Sequence, residues 1–368
     1  MTAQHPTKTI TANQGEWSEL YVLVYLLGTG RLDAADAELR PLPDQFFPIL
    51  KIMRNENENH HVDMLVHEHG IDILCNGHAV NTVKRSVLIS YTRMLLDKIR
   101  TGKSSFSIPA AQEIMDNLSI CKVKASSREK ADISMMLHDI HTGIENVFSF
   151  SIKSYMGNLP TLLNASKSTN FIFTVSGLPE TEVAHINAID GTTKLLDRIH
   201  EIEEHGGTLS YVRPASSVFH NNLALIDSTF DRLIAAMLLE SFRHGEVDCH
   251  TLLDILSASN PLHVPNSEVY YPYKFKKFLC AVALGMQPAK PWSGREEASG
   301  GYIIARTDGV VVAYHIYNRD FFEEYLLCNT KLERASSARH EYCTIYRGED
   351  GGLYLNLNLQ IRFKASHG

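Results

Sequence analysis

The stretch that most restricts the fold of this chain is residues 131–154, in which apolar and polar residues alternate around one turn signal, Thr142-Gly143. Such alternation predicts a pair of antiparallel strands with one face on the core and the other face polar. A tight turn there would place two polar pairs opposite each other, Asp132 with Lys153 and Ser134 with Ser151. The apolar face would carry Ile133, Met135, Leu137, Phe148, Phe150 and Ile152. A longer turn would shift this register by about a residue or two.

An aspartate and a lysine on one face at the end of a hairpin are typical of a nuclease layout, the PD-(D/E)XK pattern. In it the aspartate binds Mg²⁺ through a hard oxygen, and the lysine orients or activates the attacking water. The pattern normally has an acidic residue two positions before the lysine, where this chain has Ser151. The alternative is an ordinary strand pair in which Asp132 and Lys153 form a cross-strand ion pair.

A second metal ligand must come from elsewhere in the chain. Glu145 near the turn is roughly 26 Å from the lysine, at about 3.3 Å per strand residue, and is excluded. Residues 154–179 carry no acidic side chain. The segment "NQGEWSELYVLVYLL" predicts a helix over residues 14–27, in which Glu16 completes a capping box with the preceding asparagine. Glu19 has no such role, and it is therefore the predicted second ligand.

Other segments alternate between strand and helix patterns, which predicts an α+β or mixed α/β fold. "ICKVKA" is predicted as a strand, "NENENHH" as a polar loop, and the strands "GYIIART" and "VVVAYHIYN" as a hairpin around Asp308-Gly309. Two segments are expected, a nuclease core over residues 1–210 and a helical and C-terminal strand region for DNA recognition over residues 211–368. A boundary near residues 290–300 is the alternative.

Bulk properties exclude some classes of protein. A formal net charge of -7 argues against a histone-like binder held by bulk positive charge, although a local basic cleft remains compatible with it. Six widely spaced cysteines without a CxxC pair indicate reduced thiols. The sequence shows no apolar leader and no membrane-spanning stretch, so a cytoplasmic location is expected.

Longer segments resemble the HpaII-like family of type II restriction endonucleases over about residues 13–364. They include "KADISMMLHDIHTG", "FSFSIKSYMGNLPTLLNASKSTNF", "DGVVVAYHIYNRDFFEEYLLCNTKLERASSARH" and "LNLNLQIRF". The resemblance implies a restriction-endonuclease-like central mixed sheet flanked by helices, with additional DNA-recognition elements. It also implies a prokaryotic, Mg²⁺-dependent enzyme that cuts double-stranded DNA at a short palindrome, CCGG in the type member. A homodimer and a companion DNA methyltransferase are expected with it.

The resemblance implies catalytic roles for three residues of this chain, and a fourth residue of the site departs from the family pattern. Asp132 would be the metal ligand, Lys153 the catalytic lysine and Glu19 the helix-borne ligand, while Ser151 departs from the usual carboxylate. Three segments offer side chains for phosphate or base contacts. The predicted DNA-binding residues are Lys122, Lys124, Arg128, Lys130, Asn164, Lys167, Lys331, Arg334, Arg339 and His340.

Two other functions remain open from the sequence. Ser151 could mark a decayed site, in which case the protein would bind a DNA sequence without breaking strands. The same core could instead belong to a structure- or lesion-directed repair nuclease, which would cut branched or damaged DNA without a fixed sequence. The ends of the cleaved DNA distinguish these alternatives.

Overall fold

The computed structural model describes residues 10–36, 38–124, 131–140, 142–315 and 319–365. The strands, in chain order, are β1 (Thr11–Asn13), β2 (Arg31–Ala35), β3 (Pro41–Asn57), β4 (His60–Val66), β5 (Gly70–Cys75), β6 (His78–Lys84), β7 (Ser105–Ser107), β8 (Ile133–His138), β9 (Glu145–Ser154), β10 (Thr161–Leu163), β11 (Asn170–Ser176), β12 (Thr208–Pro214), β13 (Gly301–Ala305), β14 (Val311–His315), β15 (Thr330–Leu332), β16 (Tyr346–Arg347), β17 (Leu353–Asn358) and β18 (Ile361–Phe363). The helices are α1 (Gln14–Thr29), α2 (Arg85–Thr101), α3 (Ala111–Asn117), α4 (Glu180–Ala188), α5 (Lys194–Glu204), α6 (Ser217–Ala224), α7 (Phe230–His244), α8 (Cys249–Ser259), α9 (Ser267–Leu284), α10 (Arg319–Cys328) and α11 (Ser337–His340), with a 3₁₀ turn at Lys167–Thr169.

The chain divides into two compact units that do not coincide with the predicted segments. Unit 1 comprises residues 1–160 and 297–322, and unit 2 comprises residues 161–296 and 323–368. Residue 210 falls inside β12 of unit 2, and the chain passes from unit 2 back to unit 1 between residues 296 and 297. Strand β13 returns to unit 1 because it pairs in parallel with β9. The functions expected of the two segments stay predictions.

Unit 1 has an α+β fold, and its largest element is one mixed sheet. Among the described residues its strand order is β2-β14-β13-β9-β8-β3-β4-β5-β6, and an additional β2–β3 pairing closes the first six strands into a barrel-like ring. The long strand β3 makes this possible, because its first half pairs with β2 and its second half pairs with β8 and β4. The predicted helix at the N-terminus is confirmed as α1, which contacts β9 and shares one hydrophobic core with Phe150 and Ile152.

The predicted hairpin is confirmed, but its register is wrong by two residues. Strands β8 and β9 are joined by residues 139–144, a longer turn than the sequence indicated. Ile133 therefore pairs with Phe150, and Asp132 lies beside Ser151 and not opposite Lys153. Because the shift is even, the polar and apolar faces keep their predicted members.

The predicted strand "ICKVKA" is wrong, since residues 121–124 lie outside any strand. Part of the predicted loop "NENENHH" belongs instead to β3, which runs on to Asn57. Strand β3 extends this far because it pairs with β4 up to Asn57 and His60. The end of β3 presents Arg54 and Glu56 to the backbone of residues 121–123, whose polar groups bind these side chains instead of a neighbouring strand.

Unit 2 contains two smaller sheets and several helices. The sheets have the strand orders β12-β11-β17-β16 and β10-β18-β15. Helix α7 contacts β12 and β17, and α8 and α9 contact each other. Helices α4, α6, α8 and α9 had not been predicted. None of the helices in the described ranges is long and apolar enough to cross a membrane, and all six cysteines are free thiols.

Candidate active site

Asp132 lies just before β8 and is held by hydrogen bonds from β9. Its backbone N–H donates to the Phe150 carbonyl at 2.8 Å. Its carboxylate atom Oδ2 accepts hydrogen bonds from the Ile152 N–H at 2.7 Å and from the Ser151 hydroxyl at 3.1 Å. Within the described part of the chain both bonds to the carboxylate end on Oδ2, so Oδ1 can bind a cation.

Ser151 occupies the position where the nuclease pattern has a carboxylate, and it serves here as a hydrogen-bond donor. Its side chain is only 2% exposed and donates to Asp132. A second carboxylate at this position would lie against Asp132 and repel it. The serine therefore fixes the orientation of one carboxylate.

Lys153 follows Ser151 by two residues, so both side chains lie on one face of β9. The lysine is half-buried. Burial lowers the pKa of its ammonium, the carboxylates of Asp132 and Glu19 oppose this shift, and the positive charge of Lys124 adds to it. The charges of Asp132, Glu19 and Lys124 therefore all act on the Lys153 ammonium.

Glu19 reaches this site from α1. The capping box is confirmed, because the Glu16 carboxylate accepts from the Asn13 N–H at 2.9 Å and Asn13 Oδ1 accepts from the Glu16 N–H at 3.0 Å. This leaves Glu16 at the helix end, whereas Glu19, one turn further, is half-buried and its charge acts on Lys153.

The donor set suits a hard cation with few protein ligands. Across the described ranges, no group of three or more His, Cys, Asp or Glu side chains is arranged to hold a metal. Asp132 and Glu19 together offer two carboxylates at the site. Mg²⁺ is commonly bound by one or two carboxylates together with water and substrate phosphate, so this pair fits it.

Tyr302 on β13 is a site residue that the sequence did not reveal. It lies opposite Ser151 in the parallel β13–β9 pairing, and the Lys153 Nζ lies 5.3 Å from the centre of its ring. The hairpin around Asp308-Gly309 was predicted and is confirmed. Nothing in the sequence indicates that this hairpin pairs with β9, more than a hundred residues away.

A buried ion pair next to the site was also missed. Arg54 and Glu56 are 8% and 2% exposed, and Arg54 Nε donates to Glu56 Oε1 at 2.5 Å. Arg54 Nη2 donates to the carbonyls of Lys122 and Val123 at 2.5 and 3.2 Å. Glu56 Oε2 accepts from the N–H groups of Cys121 and Lys122 at 2.8 and 3.1 Å. The pair thereby fixes the segment that carries Lys122 and Lys124.

The predicted DNA-binding residues of unit 1 lie in this segment. The side chains of Lys122 and Lys124 are exposed, and the charge of Lys124 acts on Lys153. Arg128 and Lys130 lie outside the described residues.

The predicted DNA-binding residues of unit 2 differ in how they are held. Asn164 and Arg339 are exposed, His340 ends the short helix α11, and Lys331 lies in β15. Lys167 forms an ion pair with Glu341.

Arg334 is bound within its own unit. Its Nη2 donates to the Ser241 carbonyl at 2.8 Å, and its guanidinium lies over the Phe242 ring. Burial lowers the pKa of this guanidinium. These contacts explain Arg334 as a structural residue.

Comparison with known proteins identifies the family of the chain. The profile of the HpaII restriction endonuclease family matches residues 13–363. The type II restriction enzyme HpaII of Haemophilus parainfluenzae is 38% identical over 365 residues, which cover 97% of this chain and 99% of that enzyme. No solved structure matches the chain. The chain therefore belongs to the HpaII restriction endonuclease family, a family of type II enzymes that cut DNA at specific sites.

Proposed function

We propose that this enzyme hydrolyses phosphodiester bonds of double-stranded DNA with Mg²⁺ at a site formed by Asp132, Glu19 and Lys153, and that its target is CCGG. The observation that supports this proposal is that the charges of two carboxylates act on one lysine at one face of the sheet. Asp132 is oriented by two hydrogen bonds, and its charge and that of Glu19 act on the half-buried Lys153. The proposal assigns unit 1 to the PD-(D/E)XK nucleases.

Each residue has a role that follows from its contacts. Asp132 Oδ1 and the Glu19 carboxylate would hold the cation, while the Ser151 hydroxyl and the Ile152 N–H retain Asp132 Oδ2. Bound Mg²⁺ would stabilise the charge that develops on the phosphate and on the leaving oxygen.

Lys153 would orient the attacking water and exchange a proton with it at Nζ. Because burial lowers its pKa, the amine releases a proton more readily than an exposed lysine does. Water attack on phosphorus in line with the 3′ oxygen would leave a 5′ phosphate and a 3′ hydroxyl.

DNA contacts are proposed for both units. Lys122 and Lys124 would neutralise phosphates next to the site, and the exposed Arg339 and Asn164 of unit 2 are the better candidates for base contacts, since Arg334 is bound within its own unit. A palindromic target suits a symmetric dimer in which each copy cuts one strand. A companion methyltransferase that protects the host DNA, and a cytoplasmic location, belong to this proposal.

The test is cleavage of unmethylated plasmid with Mg²⁺, followed by sequencing of the ends. The wild type is compared with Lys153→Ala, with a metal-free reaction and with Lys51→Ala, a lysine of the same sheet that pairs with Asp63 at 3.4 Å. We expect fragments that end within CCGG from the wild type and Lys51→Ala, and intact plasmid in the other two reactions.

Each other outcome has a distinct meaning. Ends at another palindrome would overturn the target and retain the mechanism. Ends without a common sequence would favour a repair nuclease. Intact plasmid with a protein that still shifts labelled DNA would favour a non-catalytic binding protein.

A further inference from the structure

We propose that Tyr302 is a positioning residue for Lys153, and that the face of its ring holds the ammonium next to the carboxylates of the site. The inference rests on the catalytic role proposed above for Lys153. It adds a residue from a strand distant in sequence, and it explains how the lysine is held independently of an ion pair.

The register of the sheet determines the contact. Tyr302 lies opposite Ser151, and Ile304 lies opposite Lys153. Tyr302 therefore projects from the same sheet face as Ser151 and Lys153, two residues before the position opposite Lys153. The ammonium lies 5.3 Å from the ring centre, within the range of about 6 Å over which the negative ring face attracts a cation.

The ring itself is fixed. Tyr302 is 1% exposed, and its ring packs edge-on against Phe322 with the ring centres 5.2 Å apart. The buried ring is therefore held in one orientation, with its face available to the ammonium.

An aromatic face has a chemical advantage over an anion at this place. Asp132 and Glu19 attract the ammonium through their charge, but the same carboxylates are the proposed metal ligands. A hard cation would compete with the lysine for their oxygen atoms. The ring offers no oxygen in its face, so it can hold the ammonium whether or not the carboxylates bind metal.

Tyr314 provides a matched control. It lies opposite Tyr302 in the β13–β14 hairpin and is likewise fully buried, with its ring 6.1 Å from that of Phe322. Its hydroxyl donates to the Asp36 carbonyl. Its replacement therefore also removes a buried tyrosine that packs against Phe322, and it controls for the loss of this packing.

The experiment measures the rate of a single turnover with Mg²⁺, and separately the affinity for the DNA without metal. We expect Tyr302→Phe to cleave within about threefold of the wild type, because the ring face remains. Tyr302→Leu should cleave about 30-fold more slowly with unchanged DNA affinity, the rate equivalent of a desolvated cation–π contact. Tyr314→Leu should cleave within about threefold of the wild type.

A second series keeps the shape of the ring and changes only its charge distribution. Replacement of Tyr302 by phenylalanine analogues with one, two and three ring fluorines weakens the negative face stepwise, and the cleavage rate should fall at each step. This series carries the test alone if Tyr302→Leu does not fold.

Equal rates for the fluorinated proteins would overturn the inference, as would equal rates for Tyr302→Leu and Tyr302→Phe. Lys153→Ala separates this failure from failure of the proposed mechanism. If Lys153→Ala cleaves as the wild type does, the catalytic role of Lys153 is wrong and the inference falls with it. If Lys153→Ala is inactive and the Tyr302 proteins are not slowed, only the inference is wrong.

Discussion

The sequence predicts two regions with functional charged residues, and their side chains differ in how the structure holds them. On the sheet face of unit 1, Asp132, Glu19 and Lys153 act on one another through charge, and one oxygen of Asp132 accepts no hydrogen bond from the described residues. In unit 2, Arg334 is bound by Ser241 and Phe242. A cation that donates to a backbone carbonyl and lies over an aromatic ring of its own unit is held as part of the fold, whereas converging charges perturbed by burial are typical of a functional site.

The strongest test of this contrast removes one charge from each region. Asp132→Asn keeps the shape of the side chain and an acceptor for the Ile152 N–H but loses the negative charge. We expect cleavage to fall by at least about 10³-fold, because several kcal/mol of transition-state stabilisation depend on the cation. Single-turnover cleavage measures the effect.

Arg334→Met is the counterpart in unit 2. It should destabilise the protein and leave the rate at saturating DNA unchanged, because the arginine is engaged within its own fold. A loss of rate with Arg334→Met as large as that with Asp132→Asn would remove the distinction between the two regions.

The next largest effect concerns stability and compares a buried ion pair with an exposed one. Glu56→Gln would leave Arg54 buried without its counter-charge, which costs about 3–5 kcal/mol of unfolding free energy. Glu341→Gln breaks the pair with Lys167, in which both side chains are 64% exposed, and should cost less than about 1 kcal/mol. Denaturant unfolding of both proteins measures the difference, and similar losses would show that Arg54 and Glu56 are not coupled.

The difference between local patterns and contacts of distant segments explains which features could be predicted from the sequence. The α1 capping box and the polar face of the hairpin follow from local patterns, since caps and strand periodicity involve residues close in sequence. Because the register error is even-numbered, Asp132, Ser151 and Lys153 still share one face, as predicted, although the turn length was wrong.

The features that the sequence did not predict depend on contacts between distant segments. Tyr302 meets Lys153 only because β13 pairs with β9, and the backbone of residues 121–123 binds Arg54 and Glu56, which lie about seventy residues earlier. Arg334 could not be distinguished from Arg339 without the position of Ser241. A local pattern contains none of these pairings.

A smaller effect is expected from the serine in the carboxylate position. Ser151→Ala removes one of two hydrogen bonds to Asp132 Oδ2 and leaves the bond from Ile152. Groups that orient a metal ligand typically contribute about 10- to 100-fold in metal affinity or activity. We expect a loss in this range in the Mg²⁺ concentration that supports half-maximal cleavage.

Ser149→Ala is the control for that measurement. Ser149 lies on the same face of β9, but its hydroxyl pairs with the Ser134 hydroxyl at 2.8 Å, away from the carboxylate. Its Mg²⁺ requirement should remain that of the wild type. If both alanine variants shift the Mg²⁺ requirement equally, Ser151 acts through the packing of β9 and not through Asp132.

The smallest expected effect is on DNA affinity, and it compares an exposed cation, Lys124, with a cation that is bound within its own unit, Arg334. Lys124 lies on the segment fixed by Arg54 and Glu56, with an exposed side chain. If it neutralises one phosphate, Lys124→Ala should reduce the slope of log affinity against log salt by about 1, with a uniform loss across DNA sequences. Arg334→Met should leave the slope unchanged, since its guanidinium is already bound by Ser241 and Phe242.

Affinities measured at several salt concentrations without metal give both slopes. An unchanged slope for Lys124→Ala would restrict its role to the electrostatics of Lys153, whereas a reduced slope for Arg334→Met would mean that its contacts are exchanged for phosphate when DNA binds.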